Sequence, residues 1–139
     1  MIVADTNLIA YLVIDGQHTA VARRIREQDP DWRVPPLWRS EFLNVLATAV
    51  RSGVLTEEQA FLAWDLAVSI VGRSEVEPGA AAVLATALRR GLSAYDAQFV
   101  VVAESLRALL VTGDRKILRA CPDVAAPMLD HAAQGRSSR

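Results

Sequence analysis

The apolar residues of this chain follow two alternating rhythms. Ile2-Val3-Ala4 and Ala108-Leu109-Leu110-Val111-Thr112 are short continuous runs without a polar face, the pattern of strands buried on both sides. Trp32-Arg33-Val34, Glu75-Val76 and Val124-Ala125-Ala126 give weaker strand signals, the last at a sheet edge. Helical segments lie between them. Asp5-Thr6-Asn7 supplies starting chemistry for a helix through Leu8–Leu12, and residues 17–28 form a polar-faced helix closed by Asp29-Pro30. Pro35-Pro36 leads into a long helix ending near Ser52-Gly53, and Thr56 with Gln59 makes a capping box for a helix reaching Val71. An alanine-rich helix follows Pro78-Gly79 and stops at Arg90-Gly91; another runs from Ser93 to Leu106. A short helix over Arg115–Arg119 is stopped by Pro122. Strands alternating with helices predict an α/β fold, a three-layer sandwich with a parallel sheet between helices.

Four acidic residues interrupt this pattern. Asp5 and Asp114 each follow a strong strand, Asp96 opens the apolar run Ala97–Ala103, and Glu41 lies in a helix that is apolar almost all round. Capping explains three of them one at a time. Asp5 and Asp114 can cap the helices that follow them, and Ser93-Ala94-Tyr95-Asp96 fits a frequent capping-box pattern. Glu41 has no such explanation. With Asn44 and Thr48 it forms a narrow polar stripe, which could face water or a wet cleft.

Their joint placement adds a second reading. In open parallel sheets, ligands bind beyond the carboxyl ends of the strands, where Asp5 and Asp114 fall and where Asp96 and Glu41 can lean in. Two like charges ~4 Å apart repel by about 4 kcal/mol at an effective dielectric of 20, so such a cluster should raise its own pKa values. A divalent cation relieves that repulsion. Hard oxygen donors without His or Cys among them suit Mg²⁺ or Mn²⁺ and make zinc a poor fit.

Composition narrows the picture. The 139 residues correspond to one domain, expected over 1–130 with a polar, frayed segment over 131–139. A domain of this size buries roughly 70% of its unfolded surface and needs no disulfide, and the single Cys121 cannot form one internally. That cysteine usage fits a reducing compartment, no stretch approaches the ~20 apolar residues of a membrane span, and the N-terminus enters structure at once; the expectation is a cytoplasmic protein without a signal peptide. The net charge of −1 gives no global footprint for nucleic acid. Basic charge is carried by 14 arginines and Lys116 alone, which suits bidentate phosphate contacts or simply reflects an Ala/Arg-rich composition.

Four segments in order, Val3-Ala4-Asp5-Thr6-Asn7, Pro36-Leu37-Trp38-Arg39-Ser40-Glu41 with Asn44, Ser93-Ala94-Tyr95-Asp96-Ala97 and Leu110-Val111-Thr112-Gly113-Asp114-Arg115, make the chain resemble the PIN-domain nucleases, and within them the VapC-type toxins of toxin–antitoxin pairs. The resemblance spans essentially the whole chain. It implies strand order 3-2-1-4-5, and a metal cage of Asp5, Glu41, Asp96 and Asp114 supported by Asn7 and Thr112. It further implies an Mg²⁺- or Mn²⁺-dependent endoribonuclease that cuts a structured RNA of the tRNA or rRNA class, a homodimeric toxin and a cognate antitoxin inserting near the site. Arg115, Lys116 and Arg119 lie beside Asp114 and could hold flanking phosphates or merely solvate their helix. The Thr56–Val71 helix carries Phe61, Leu62, Trp64, Leu66, Val68, Ile70 and Val71, more apolar surface than one core face needs; it is either an interaction surface or fully buried.

Other acidic α/β classes fit less well. A receiver domain needs paired acids after its first strand, a mid-chain phosphoacceptor Asp and a Lys after its last strand, whereas Asp5 stands alone and Lys116 lies in a helix. A haloacid-dehalogenase phosphatase needs a D-x-D start, and position 7 is Asn7. The remaining alternatives are a non-catalytic PIN-like scaffold that binds RNA or protein, and a PIN nuclease of RNA processing outside any toxin pair.

Overall fold

The computed structural model describes residues 1–137. Strand β1 (Ile2–Ala4) is flanked by β2 (Trp32–Arg33) and β3 (Leu109–Thr112), with β4 (Ala125–Pro127) outside β3, giving the parallel order β2-β1-β3-β4. Ile2 pairs with both Trp32 and Leu109, Val3 with Arg33 and Leu110, and Ala4 with Val111. The central strand is buried throughout, as its unbroken apolar run predicts.

Side chains alternate across the sheet and so feed two cores. Ile2, Ala4 and Val111 join one cluster with α1 (Thr6–Val13), α2 (Thr19–Gln28), α3 (Trp38–Arg51) and α4 (Glu57–Val71). Val3 and Leu110 join the other with α6 (Ala94–Leu106) and α7 (Arg115–Ala120), while α5 (Ala80–Arg90) packs on α6. The largest fully buried side chains, Trp32, Trp38 and Phe42, all lie in the first core, where Trp38 stacks on Trp64 with ring centroids 5.6 Å apart.

Local signals fix the helix ends. The capping box of α4 is complete: Gln59 N–H donates to the Thr56 hydroxyl and Thr56 N–H to Gln59 Oε1. Gly91 closes α5 in the left-handed conformation at φ 65°, where a side chain would be strained.

Two expectations change. The third strand of the expected 3-2-1-4-5 order is reduced to one parallel bridge, Val34 to Glu75, outside β2. Short as it is, it is anchored: Glu75 Oε1 accepts from Trp38 Nε1 at 3.2 Å and Arg39 Nε at 2.5 Å. The expected frayed segment 131–139 is helical as far as Ser137, in α8 (Met128–Ser137). Met128 and Ala132 are buried against α2, and Gln28 Nε2 donates to the Ala132 carbonyl, so packing outweighs the polar composition. Residues 138–139 lie outside the described residues.

Candidate active site

Four helices begin at the carboxyl-end edge of the sheet, and each carries one of the acids at its N-terminus. Asp5 is the N-cap of α1 and Asp114 the N-cap of α7, whereas Asp96 and Glu41 lie in the first turns of α6 and α3. The positive ends of the four helix dipoles therefore face the same charge cluster, each favouring an anion by roughly 0.3–1 kcal/mol. Asp5, Glu41, Asp96 and Asp114 line one cavity of about 280 Å³, together with Thr6, Asn7, Asn44, Val45, Phe99 and Ile117.

Capping and convergence hold together. Asp5 Oδ1 accepts the Leu8 N–H at 2.8 Å, and its Oδ2 accepts the Thr112 hydroxyl at 2.5 Å. Thr112 Oγ1 in turn accepts the Asp114 N–H at 3.0 Å, so one hydroxyl at the end of β3 ties the two strand-end acids together. Asp114 Oδ1 takes the N–H groups of Lys116 and Ile117. Ser93 caps α6 by accepting the Asp96 N–H at 3.0 Å. Glu41 Oε1 accepts the Thr6 hydroxyl at 2.7 Å.

The electrostatics show mutual influence. Burial pushes the Asp5 carboxyl up to about 6, against its hydrogen bonds from Thr112, Leu8 and Gly113, and the nearby Asp114 charge adds to the rise. Asp96 is raised by burial and then by Asp114, with Ser93 and Lys116 opposing. Glu41 is raised by burial and further by Asp96, with Thr6 opposing. These are carboxylates whose ionisation a cation would favour.

Among the described residues, no three His, Cys, Asp or Glu side chains already converge tightly enough to hold a metal ion. The donor set, all hard oxygen with no His or Cys, nevertheless suits Mg²⁺ or Mn²⁺, and all four carboxylates line one cavity.

The supporting positions divide. Asn7 lines the cavity, and Thr112 contacts two acids without being part of the lining. Asn44 faces the cavity, whereas Thr48, one turn further along the polar stripe, is exposed and outside it. Arg115, Lys116 and Arg119 are exposed and absent from the lining, although Lys116 is near enough to favour the charged form of Asp96. Sequence reasoning did not single out Thr6. Its only local signal is a hydroxyl directly after Asp5; its contact with Glu41 is tertiary.

A second concavity, about 400 Å³, lies between α3 and α4 and is lined chiefly by Leu43, Leu46, Val50, Phe61 and Trp64. Helix α4 is not fully buried: Phe61, Leu62 and Leu66 are 71%, 63% and 48% exposed.

A parallel sheet in a three-layer sandwich, with four carboxylates at helix N-termini beyond its carboxyl ends, defines a class of acidic-site α/β domains. The PIN domain family model matches residues 2–121, and the chain belongs to that family. It is 29% identical over 132 residues to Ribonuclease VapC3 of Pyrobaculum aerophilum, an alignment covering 91% of this chain and 98% of that protein. The fold is similar to the crystal structure of PAE2754 from Pyrobaculum aerophilum, with a TM-score of 0.76 at 24% identity, covering 97% of this chain and 96% of that one.

Proposed function

We propose that this protein is a divalent-cation-dependent endoribonuclease and the toxin of a toxin–antitoxin pair. The observation that carries the reading is the cavity on which Asp5, Glu41, Asp96 and Asp114 converge from four helix N-termini. Likeness to a protein named Ribonuclease VapC3 supports both the activity and the pairing.

Asp5 and Asp96 are the central ligands in this reading, and Asp114 and Glu41 complete the cage directly or through water. Bound there, Mg²⁺ or Mn²⁺ supplies Lewis-acid polarisation of a water nucleophile and charge screening of the scissile phosphate. The protein supplies the rest. Thr112 fixes the rotamer of Asp5 and the backbone of Asp114 through one hydroxyl. Asn7 and Asn44 present neutral polar groups to the cavity, able to orient a phosphodiester without adding repulsion. Lys116, Arg115 and Arg119 offer phosphate contacts outside it, which position RNA without reading its sequence. The substrate in this reading is a structured RNA of the tRNA or rRNA class, held by loop shape and exposed bases.

The exposed apolar residues of α4 and the adjoining groove on α3 support a protein partner, consistent with an antitoxin and a homodimeric toxin. No helix among the described residues is long and apolar enough to cross a membrane, and the proposed setting is the cytoplasm.

Inducible expression of the wild type beside Asp5→Asn, followed by mapping of RNA 5′ ends, tests this directly. Growth arrest with a discrete cut site in the wild type alone is the expected result. Equal cleavage by both proteins, or none by either, overturns the proposal in favour of a non-catalytic scaffold or a different active site.

A further inference from the structure

We infer that Thr6 is a positioning residue that presets the Glu41 carboxylate for a divalent cation; the inference rests on the nuclease reading of the site. Thr6 is 7% exposed and sits at the first position of α1, and its hydroxyl donates to Glu41 Oε1 at 2.7 Å across 35 positions of sequence. A threonine inside a helix commonly spends its hydroxyl proton on the carbonyl four residues back. For Thr6 that residue is Ile2, inside β1, so the hydroxyl has no helical carbonyl to bond and is available across the cleft.

The consequence is a division of labour within one dipeptide. Asp5 enters the acid cluster itself, held by Thr112 and the Leu8 N–H. Thr6 reaches from the same turn to the acid on α3. Glutamate has the longest acidic side chain, and leaving it free would cost ordering entropy at each binding event. Glu41 is only half-buried, and Thr6 is the hydrogen-bond donor that orders its carboxylate; both residues line the same cavity. Thr6 and Thr112 are thus paired devices, one hydroxyl for each of two acids on different elements. Partners of metal-ligating groups are typically worth a 10- to 100-fold change in metal affinity.

Calorimetric titration with Mn²⁺ alone tests this on wild type, Thr6→Val, Thr6→Ser, Glu41→Gln and the Thr6→Val/Glu41→Gln double variant. Valine keeps the shape and removes the donor, whereas serine keeps the donor. The expected result is roughly tenfold weaker Mn²⁺ binding in Thr6→Val, near wild-type affinity in Thr6→Ser, and no further loss from Thr6→Val once Glu41 is Gln. If Glu41→Gln weakens Mn²⁺ binding and Thr6→Val does not, the positioning role is overturned while the cation site stands. Equal losses from Thr6→Val in both backgrounds overturn it as well, because the effect then bypasses Glu41. Mn²⁺ affinity unchanged by Glu41→Gln removes Glu41 from the site and overturns both the inference and that part of the functional reading.

Discussion

The Thr112 hydroxyl donates to Asp5 Oδ2 at 2.5 Å across 107 positions, joining the end of β3 to the end of β1. Because the same oxygen accepts the Asp114 N–H, it sets the geometry of two acids at once. Thr112→Val removes this link while preserving shape, leaving a buried carboxylate without its side-chain donor. The expected loss is about 1–3 kcal/mol in metal-free protein, larger at pH 8, where Asp5 is ionised, than at pH 5. Urea denaturation at the two pH values checks it; equal losses mean that the hydroxyl serves packing only.

The raised carboxyl of Asp5 makes a pH prediction with a definite sign. Its folded value, about 6, lies above the 3.8 of a solvated aspartate in the unfolded chain, so the folded state binds the proton more tightly. The associated stability is complete below about pH 3.8 and is lost as pH rises through about 6. A shift of that size corresponds to about 3 kcal/mol at most. Metal-free wild type should therefore lose more stability between pH 4.5 and pH 8 than Asp5→Asn, which lacks the titrating group. Denaturation curves in EDTA decide this, and identical pH profiles for the two proteins count against it.

Much of this architecture was legible in the sequence, for physical reasons. Unbroken apolar runs such as Ile2–Ala4 identify strands that must be covered on both faces, and capping residues such as Thr56 and Gly91 mark helix ends by local chemistry alone. The convergence of the four acids on one cavity was legible because Asp5 and Asp114 follow strands whose carboxyl ends share one edge of a parallel sheet. Local patterns were weaker guides to pairing and docking. Glu75 contributes only a bridge, held by the side chains of Trp38 and Arg39, and α8 is helical because Met128 and Ala132 find cover on α2. The Thr6–Glu41 contact was hidden for the same reason: it exists only once α1 and α3 lie side by side.

Cation binding should appear as stability. A site that exists only in the folded chain adds about 2.7 kcal/mol at a cation concentration one hundred times its Kd. The melting temperature of the wild type should rise with Mg²⁺, and Asp96→Asn should flatten the response. Scanning calorimetry over a Mg²⁺ series measures both. An equal rise in the two proteins places the stabilising ion elsewhere.

Lys116 lies beside Asp96 and is exposed, well placed for phosphate contact. Lys116→Ala should weaken RNA binding uniformly across sequences and reduce the slope of log K against log salt by about 1. Binding titrations at several salt concentrations test this. An unchanged slope assigns Lys116 to helix solvation alone.

The most direct measurement is cleavage of the mapped RNA by purified wild type and Asp96→Asn, each with Mg²⁺ and with EDTA. If Asp5, Glu41, Asp96 and Asp114 form one cation-dependent site, wild type cuts only with Mg²⁺. Asp96→Asn should then be slower by at least about 100-fold, equivalent to about 2.7 kcal/mol of barrier. Wild-type cleavage that persists in EDTA, or an Asp96→Asn rate matching wild type in Mg²⁺, contradicts the account.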